Sequence, residues 1–283
     1  MKILGIISTF YPKIDELERN INSFLPWIDF LIIWENTPRV KSYVSELIDR
    51  LNSPKVEVRT TGHNEYLATP FNLCARFAEE NDFTHLLTMD QDSSFSDGHF
   101  KEYIDFISNY SDGDAAAFGP NSKSRSAVDN KNPEVDHVFI SGAIYPIDSF
   151  RALNGFDEKL VIDGIDIDYC LRAKEKNKRI IVVPTVNLNH QLGYRYKHWS
   201  GLEIVPYSPQ RTYYFIRNTL FLWKKYPSYF KKSYKKSFVK YRIVFRTLKL
   251  IFEKDSCLKF KAIFMALMHY NASKLGRYDN FTK

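Results

Sequence analysis

Two aspartates separated by one residue, Asp90 and Asp92, follow an apolar run in the segment THLLTMDQDS. Carboxylate oxygens at this spacing can bind a hard divalent cation, and such a cation can neutralise the charge of a diphosphate. An isolated pair of this kind is more often a solvated turn in front of a helix, and a helix is predicted to begin near Asp97. Whether the pair binds a metal therefore depends on its position in the fold.

A second group of acids, Asp163, Asp166 and Asp168, precedes a predicted helix in the segment VIDGIDIDYCLRAKEKN. The helix dipole stabilises carboxylates at this position, which is the structural interpretation. Three acids within six residues also repel one another, and that repulsion favours a carboxylate that accepts a proton, as a general base does. His190 ends a further predicted strand, VVPTVNLNH. A single histidine is usually structural, but at a strand end it is also a candidate metal ligand.

Strands and helices are predicted to alternate along the part of the chain that would position these residues. Apolar, β-branched runs predict strands in KILGIIST, DFLIIWEN, KVEVRTT, THLLTMD and DAAAFGP. Helical spacing of apolar residues predicts helices in IDELERNINSFL, VKSYVSELIDRL and PFNLCARFAEEN. This alternation predicts an α/β fold with a Rossmann-like, mainly parallel sheet flanked by helices. Ligands bind at the carboxyl edge of such sheets. The following residues are expected at that edge: Ser8, Thr9, Glu35, Asn36, Asp90 and Asp92.

The composition is that of a globular protein, because 44% of the 283 residues are hydrophobic and 16% are aromatic. The three cysteines, Cys74, Cys170 and Cys257, are far apart and odd in number, which argues against a disulfide framework or a thiolate zinc site. They indicate a reducing cytoplasm. The opening MKILGIIST is predicted to be a first strand rather than a signal peptide. No apolar run approaches the roughly 20 residues that span a bilayer.

The net charge of +7 is divided unevenly along the chain. Residues 223–283 carry 16 Lys and Arg against three acids, whereas the other 222 residues carry 24 basic and 30 acidic residues. This asymmetry predicts a catalytic domain over residues 1–222 and a basic helical extension over residues 223–283 that meets an anionic surface.

The extension has an amphipathic pattern between Trp223 and Phe252, a stretch with ten Lys or Arg and no acid. Its apolar stripe is formed by Tyr234, Phe238, Tyr241, Val244, Phe245, Leu248, Ile251 and Phe252. Lys235, Arg242, Arg246 and Lys249 lie to one side of that stripe. A helix packed on the body is one interpretation, and an amphipathic helix on anionic lipid is the favoured one. Nucleic-acid binding is a third, but no nucleic-acid motif supports it and no nucleic-acid partner is expected.

Eight segments occur in a fixed order along about residues 3 to 222: IISTFYP, LIIWENTP, HNEYLATPFN, LLTMDQDS, FISGAIYP, GFDEKLVIDGIDIDYCLRA, NLNHQLG and YSPQRTYYFIRN. Their order resembles the bacterial family 2 glycosyltransferases with the GT-A fold, especially the rhamnosyltransferase and galactofuranosyltransferase-like branch. The resemblance implies an inverting transfer of a sugar from a nucleotide diphosphate sugar. It also implies a divalent metal, Mn²⁺ or Mg²⁺.

The resemblance assigns roles to individual residues. Asp90 and Asp92 match the DxD-type motif, with Asp92 implied as the direct metal contact, and His190 matches a histidine that completes the metal site. Asp166 matches the catalytic aspartate. Further matched positions are implied to contact the donor or the acceptor: Thr9, Glu35, Asn36, Asn64, Asn72, Arg211, Tyr214, Arg217 and Asn218. The last four form a late motif expected near the diphosphate or the acceptor.

Three positions depart from the usual family pattern. Glu35 stands in place of an aspartate, Tyr66 in place of a glycine and Ile165 in place of a glutamate. These departures bear on the identity of the donor more than on the class of reaction.

The sequence thus predicts a metal-dependent glycosyltransferase that builds a bacterial surface polysaccharide or lipopolysaccharide on a glycan or lipid-linked acceptor. The transferred sugar is expected to be rhamnose, galactofuranose or another hexose. The expected location is the cytoplasm, peripherally on the inner face of the membrane through the basic extension. The alternative is a nucleotide- or nucleic-acid-binding protein that transfers no sugar.

Overall fold

The computed structural model describes residues 1–38, 44–121, 133–190, 196–197, 203–204, 207–250 and 253–281. The chain divides into two compact units. The first contains Met1–Asp157 and Asp166–Gln191, and the second contains Glu158–Ile165 and Leu192–Lys283. The boundary predicted after residue 222 falls inside a helix of the second unit, Pro209–Lys225. The functional division predicted there, into a catalytic domain and a basic extension, stays a prediction.

The first unit is an α/β structure, as the alternation of apolar runs predicts. Its strands are β1 (Ile3–Thr9), β2 (Phe30–Glu35), β3 (Val56–Arg59), β4 (His85–Asp90), β5 (Ser93–Phe95), β6 (Ala115–Asn121), β7 (Ala143–Pro146) and β8 (Arg179–His190). Its helices are α1 (Ile14–Asn22), α2 (Val44–Leu51), α3 (Ala68–Glu80), α4 (His99–Asn109), α5 (Ile147–Ala152) and α6 (Ile165–Glu175). Each strand and helix predicted from a periodic segment is present at its place in this order.

The strands form one sheet in the order β3-β2-β1-β4-β7-β6-β8-β5. The pairs β3-β2, β2-β1, β1-β4 and β6-β8 are parallel, so the predicted mainly parallel α/β class is confirmed. In the register, Thr9 faces Glu35 and Ser8 faces Asp90. The polar residues that end β1, β2 and β4 are therefore neighbours at the carboxyl edge.

Two strands, β5 and β7, pair antiparallel with their neighbours, and these pairings were not predicted. β7 lies between β4 and β6 and runs opposite to both. β5 is short and pairs antiparallel with the last residues of β8. β8 is 12 residues long, so its first part pairs with β6 while its end extends to β5.

The two faces of the sheet pack against different helices. On one face, buried residues of β1, β2 and β4 join α1, α2 and α4 in a single hydrophobic cluster, with Ile7, Ile33, Met89, Leu17, Leu47 and Phe100 among its members. Successive side chains of a strand point to opposite faces. Ile144 of β7 belongs to this cluster, so Tyr145 lies on the other face. There its ring centroid is 5.5 Å from that of Phe150 in α5 and 5.1 Å from that of Tyr169 in α6.

The second unit is mainly helical. It contains two short strands, β9 (Tyr196–Lys197) and β10 (Glu203–Ile204), and the helices α7 (Pro209–Lys225), α8 (Lys232–Phe238), α9 (Phe245–Lys249) and α10 (Ser256–Asn271). A π-helical segment, Val239–Val244, joins α8 to α9. None of the helices in the described part of the chain combines the length and the apolar character that crossing a bilayer requires.

Arg217 of α7 is the polar centre of the second unit and is only 1% exposed. Its guanidinium donates to the carbonyl oxygens of Gly276 at 2.7 Å and Lys159 at 3.2 Å. The neighbouring Asn218 donates from Nδ2 to the carbonyl oxygens of Leu160 and Asp163, both at 2.7 Å. These bonds tie α7 to residues 158–165 and to the end of the chain. The bond to Gly276 connects α7 to a residue beyond 225 within the same unit.

In the first unit, Asn72 of α3 holds the turn that follows α5. Its Nδ2 donates to the Phe156 carbonyl oxygen at 2.9 Å, and its Oδ1 accepts from the Phe156 backbone N–H at 2.9 Å. Gly155, in the same turn, has a φ of +60°, and a Cβ there would lie 2.6 Å from Asn72 Oδ1. Glycine is therefore required both by the left-handed backbone and by the close approach of the amide.

We expect Asn72→Ala to lower the free energy of unfolding by roughly 2–4 kcal/mol, because a buried backbone N–H and a buried carbonyl would each lose a partner. Urea denaturation followed by circular dichroism measures this change. Asn81→Ala, which removes an exposed hydrogen bond at the end of the same helix, is the matched control and should cost about 1 kcal/mol or less. Equal losses in the two variants would contradict a bracing role for Asn72.

Candidate functional site

Asp90, Asp92 and His190 form a cluster at the carboxyl edge of the sheet. One ligand atom from each of them lies within 4.8 Å of the others. His190 Nδ1 is 3.5 Å from Asp92 Oδ1, and the two side chains are 30% and 41% exposed. The side chains of the cluster are therefore accessible to solvent. Their backbones are part of a strand or directly follow one. The structure brings together the three residues that the sequence analysis assigned to a metal site.

His190 reaches the aspartates through the antiparallel pairing of β5 with the end of β8. Ser93 faces His190, and Phe95 faces Leu188, in that pairing. Phe95 and Leu188 are 4% and 8% exposed, so apolar burial secures the register. Side chains after β5 also bind β8: His99 Nδ1 accepts from the backbone N–H of Asn187 at 3.1 Å.

The backbone of the DxD segment is held by Gln91, the residue between the two aspartates. Its side-chain Oε1 accepts from the Phe10 N–H at 2.7 Å, and its Nε2 donates to the Phe10 carbonyl at 3.3 Å. Asn20 of α1 donates to the Gln91 carbonyl at 2.9 Å. On the other side, the Asp90 N–H donates to Ser141 Oγ at 3.1 Å. These bonds restrict the directions in which the two carboxylates project.

A second group of predicted residues, at the ends of β1 and β2, is joined by the Asn36 amide. Asn36 is 2% exposed. Its Nδ2 donates to Ser8 Oγ at 2.8 Å and to the Tyr66 carbonyl at 2.9 Å, and its Oδ1 accepts from the Glu65 N–H at 2.8 Å. Asn36 therefore anchors the loop before α3 to the carboxyl edge of the sheet.

Other predicted residues surround Asn36. Thr9 and Glu35 are 0% and 3% exposed. Asn64 Oδ1 accepts from the Tyr66 N–H at 2.8 Å, which closes a tight turn. Ser8 also faces Asp90 in the register. The residues around Asn36 therefore lie one strand away from the cluster of Asp90, Asp92 and His190.

Tyr66 occupies the position where the related segments usually carry glycine, and its φ is +59°. This is the left-handed region, which glycine enters without steric cost and other residues enter rarely. Tyr66 thus adopts a backbone conformation that glycine would favour, although its side chain is bulky. The bonds from Asn36 and Asn64 to the Tyr66 backbone hold the conformation in place.

Asp166 and Asp168 lie in the first turn of α6, within the helix rather than before it as predicted. Asp166 Oδ1 accepts from the Ile167 N–H at 2.8 Å. Burial raises the pKa of the Tyr145 hydroxyl well above its usual range, and the Asp166 charge is a smaller contributor to the same rise. Asp168 is fully buried and pairs with Arg172 at 2.8 Å. The two acids therefore have different surroundings, and Asp168 has a structural partner.

The remaining predicted residues belong to the second unit, apart from Asn72, which braces the turn described above. Arg211 is exposed, with its Nε 3.6 Å from Asp163 Oδ1 and its Cζ 5.1 Å from the Tyr207 ring centroid. Tyr214 is buried and its hydroxyl accepts from the Tyr278 N–H at 2.9 Å. With Arg217 and Asn218 also bonded inside this unit, all four late-motif residues have partners within it. Their contact with a diphosphate or an acceptor stays a prediction.

Sequence reasoning did not single out three residues that hold the site: Gln91, Ser93 and Ser141. Gln91 and Ser93 lie inside the DQDS segment, so their proximity to the aspartates was visible in the sequence. Their hydrogen-bond partners are 81 and 97 residues away along the chain, and nothing in the local pattern identifies them.

No family model matches the chain. One similar protein is a dTDP-rhamnosyl transferase, RfbF, of Shigella flexneri. It is 24% identical over 242 residues, which cover 79% of this chain and 80% of that protein.

Two solved structures resemble the fold. The structure of GalNAc-T7 with UDP, GalNAc and Mn²⁺ has a TM-score of 0.59 at 13% identity, over 86% of this chain; the match spans only 54% of the GalNAc-T7 chain, about half its length. S. aureus TarS 1-349 in complex with UDP-GlcNAc has a TM-score of 0.57 at 15% identity, over 97% of this chain and 88% of that one. At these identities the likeness establishes the fold. The sequence similarity and the shared fold together confirm the resemblance inferred from the motifs: the chain has the GT-A fold and resembles the family 2 glycosyltransferases.

Proposed function

We propose that the chain is a glycosyltransferase that transfers a sugar from a nucleotide diphosphate sugar to a hydroxyl group of a glycan or lipid-linked acceptor. The observation that carries this proposal is the cluster of Asp90, Asp92 and His190 at the carboxyl edge of a GT-A sheet. That edge is where open α/β sheets bind their ligands.

The residues of the cluster fit a divalent metal. Two carboxylates and one imidazole provide the oxygen and nitrogen ligands that Mn²⁺ accepts, and Mg²⁺ accepts the oxygens. Asp92, Asp90 and His190 would hold the ion, with the exposed side of the cluster left for donor phosphates. A bound metal would neutralise the negative charge that grows on the departing nucleotide diphosphate.

The donor is proposed to lie along the ends of β1 and β2. Thr9, Glu35 and Asn36 end these strands, and Asn64 is joined to them through the Tyr66 backbone. Asn36 and the Asn64 side chain already bind protein groups, so they would shape the pocket, while groups of the edge that remain accessible would bind the nucleotide. The similar RfbF protein uses a dTDP-linked sugar by its name, and the two structural relatives were solved with UDP or UDP-GlcNAc. We therefore propose dTDP-rhamnose as the first donor to test and UDP-hexoses, including galactofuranose, as the next.

Asp166 is proposed as the general base. Its carboxylate would accept the proton of the acceptor hydroxyl while that oxygen bonds to the anomeric carbon of the donor. The bond from that carbon to the diphosphate oxygen breaks in the same step, and the electron pair leaves with the nucleotide diphosphate. A single displacement inverts the configuration at the anomeric carbon. Asp168 is unsuited to this role because it is fully buried against Arg172.

We further propose that the second unit binds the anionic inner face of the cytoplasmic membrane, where a lipid-linked acceptor for surface polysaccharide would be presented. Of the predicted apolar stripe, Tyr234, Tyr241, Val244, Phe245 and Leu248 are exposed, between 43% and 62%. Phe238 is 5% exposed, and Ile251 and Phe252 lie outside the described residues.

Basic side chains accompany this exposed stripe. Lys232, Lys236 and Lys240 are exposed and follow one another at four-residue spacing through α8 and the π-helical segment. Exposed aromatic and aliphatic groups beside lysines suit the boundary between headgroups and acyl chains.

A nucleotide-binding protein without sugar transfer is the competing function. It would bind the nucleotide at the same edge but would not need a base at Asp166. Release of the nucleotide diphosphate that depends on an added acceptor glycan distinguishes the two, because only a transferase couples them.

We expect Asp92→Ala to weaken Mn²⁺ binding by at least about tenfold, because the site loses a charged ligand. Isothermal titration of Mn²⁺, alone and then with the donor present, measures this. The control is Asp97→Ala, an exposed acid five residues away that takes no part in the cluster. Unchanged Mn²⁺ affinity in Asp92→Ala would remove this residue from the metal site.

We expect Asp166→Asn to lower kcat by roughly 10²-fold or more while leaving donor affinity nearly unchanged, because the amide keeps the shape but accepts no proton. Asp168→Asn is the contrasting variant. It should lower the melting temperature, since Arg172 loses a buried carboxylate partner, yet keep most of the activity of the folded protein. Near-normal turnover in Asp166→Asn would place the base elsewhere.

Removing the segment after Lys225 would also remove Gly276, a hydrogen-bond partner of the buried Arg217, so point variants test membrane binding better than truncation. The triple variant Lys232→Gln, Lys236→Gln, Lys240→Gln should bind anionic vesicles more weakly by about 100-fold, at about 1 kcal/mol for each lysine. Vesicle sedimentation at low and high salt measures this, and binding of the unaltered protein should fall with salt. The control makes the same charge change at Lys13, Lys101 and Lys176 of the first unit. Equal losses in both triple variants would show a general charge effect and refute a specific docking surface.

A further inference from the structure

Ser93 follows the second aspartate directly and is completely buried. Its Oγ lies 2.6 Å from His190 Nδ1, and this is the hydrogen bond that the β5–β8 pairing makes between the side chains of facing residues. A buried hydroxyl needs a partner, and the His190 ring supplies one. The orientation of the imidazole is therefore tied to a rigid strand residue rather than to solvent.

The bond can form in two ways, depending on which ring nitrogen carries the proton. If Nδ1 is protonated, it donates to Ser93 Oγ and the lone pair lies on Nε2. If Nε2 is protonated, Ser93 donates to Nδ1 and the lone pair that a metal needs is already occupied. The two tautomers thus differ in whether the imidazole can bind a metal without breaking the bond to Ser93.

A second neighbour favours one tautomer. Asp92 Oδ1 lies 3.5 Å from the same Nδ1. A carboxylate is attracted to an N–H group and repelled by a nitrogen lone pair, so Asp92 favours the proton on Nδ1. Ser93 Oγ, at 2.6 Å, is then the acceptor that orients the ring.

We propose that Ser93 is a positioning residue that holds His190 in its Nδ1–H tautomer and leaves the Nε2 lone pair for a divalent cation. The proposal rests on the metal site described above and adds a residue to it that touches neither the cation nor the donor. Groups that orient a ligating histidine through its other nitrogen raise metal affinity because the ring need not reorient or change tautomer on binding.

The first test reads the tautomer in the metal-free protein. Long-range ¹⁵N–¹H correlation spectra of the full chain, with the His190 signals identified by their loss in His190→Gln, should show the Nδ1–H form. In Ser93→Ala the Nε2–H form should become populated. A metal-free protein in which His190 is predominantly Nε2–H would overturn the proposal.

The second test measures Mn²⁺ alone by isothermal titration. Ser93→Ala should bind Mn²⁺ about 10–100-fold more weakly, the usual effect of removing such a partner. Ser93→Thr retains the hydroxyl and should recover much of the affinity. Ser94→Ala is the matched control, because the adjacent serine lies on the opposite side of β5 and is only half-buried. Equal Mn²⁺ affinity in Ser93→Ala and the unaltered protein would also overturn the proposal.

The two readouts separate this inference from the proposed function. If the unaltered protein binds no Mn²⁺, the metal site itself is wrong, and the tautomer still reports what Ser93 does to His190. If Mn²⁺ binds but Ser93→Ala changes neither the affinity nor the tautomer, the metal site stands and the role of Ser93 is refuted. Melting temperatures of the variants confirm that each is folded when it is measured.

Discussion

The antiparallel pairing of Ser93 with His190 is the contact on which the candidate site depends. Ser93 and His190 are 97 residues apart along the chain. Without their pairing, the aspartates that end and follow β4 and the histidine that ends β8 would have no reason to meet. Several features of the first unit serve this pairing: the length of β8, the burial of Phe95 and Leu188, and the bond from His99 to the β8 backbone. The short strand β5 therefore brings the ends of β4 and β8 together in one cluster.

The acids around the cluster show how similar residue types acquire different roles from their surroundings. Asp168 is buried and neutralised by Arg172, whose guanidinium also donates to the carbonyl of Gly155 at 2.7 Å. That pair thereby links α6 to the turn braced by Asn72. Asp166, two residues earlier, lies at the helix N-terminus, where backbone N–H groups favour a carboxylate. Asp168 therefore supports the structure, and the role of Asp166 as a general base stays a proposal.

In the second unit, residues that the motif resemblance places near a substrate bind other groups of the protein. Arg217 and Asn218 satisfy backbone carbonyls of residues 158–165, a segment that ends just before Asp166 in the sequence. Both side chains therefore hold that segment within the second unit, and their contact with a ligand stays a prediction. Tyr66 also has a left-handed backbone although it is not glycine, and hydrogen bonds to its backbone hold that conformation.

The sequence by itself determined the order of strands and helices, the α/β class and the placement of Asp90, Glu35 and Thr9 at one sheet edge. These follow from the local periodicity of apolar residues and from the rule that parallel strands end at the same edge. It also indicated His190 as a metal ligand, from its place at a strand end and from the family resemblance. The tertiary structure alone decided that β5 and β7 run antiparallel and which groups Ser93 and Gln91 bind. It also decided that Arg217 binds carbonyl groups inside the second unit. Each depends on hydrogen bonds between residues distant along the chain, and local patterns carry no information on which distant group satisfies a buried donor or acceptor.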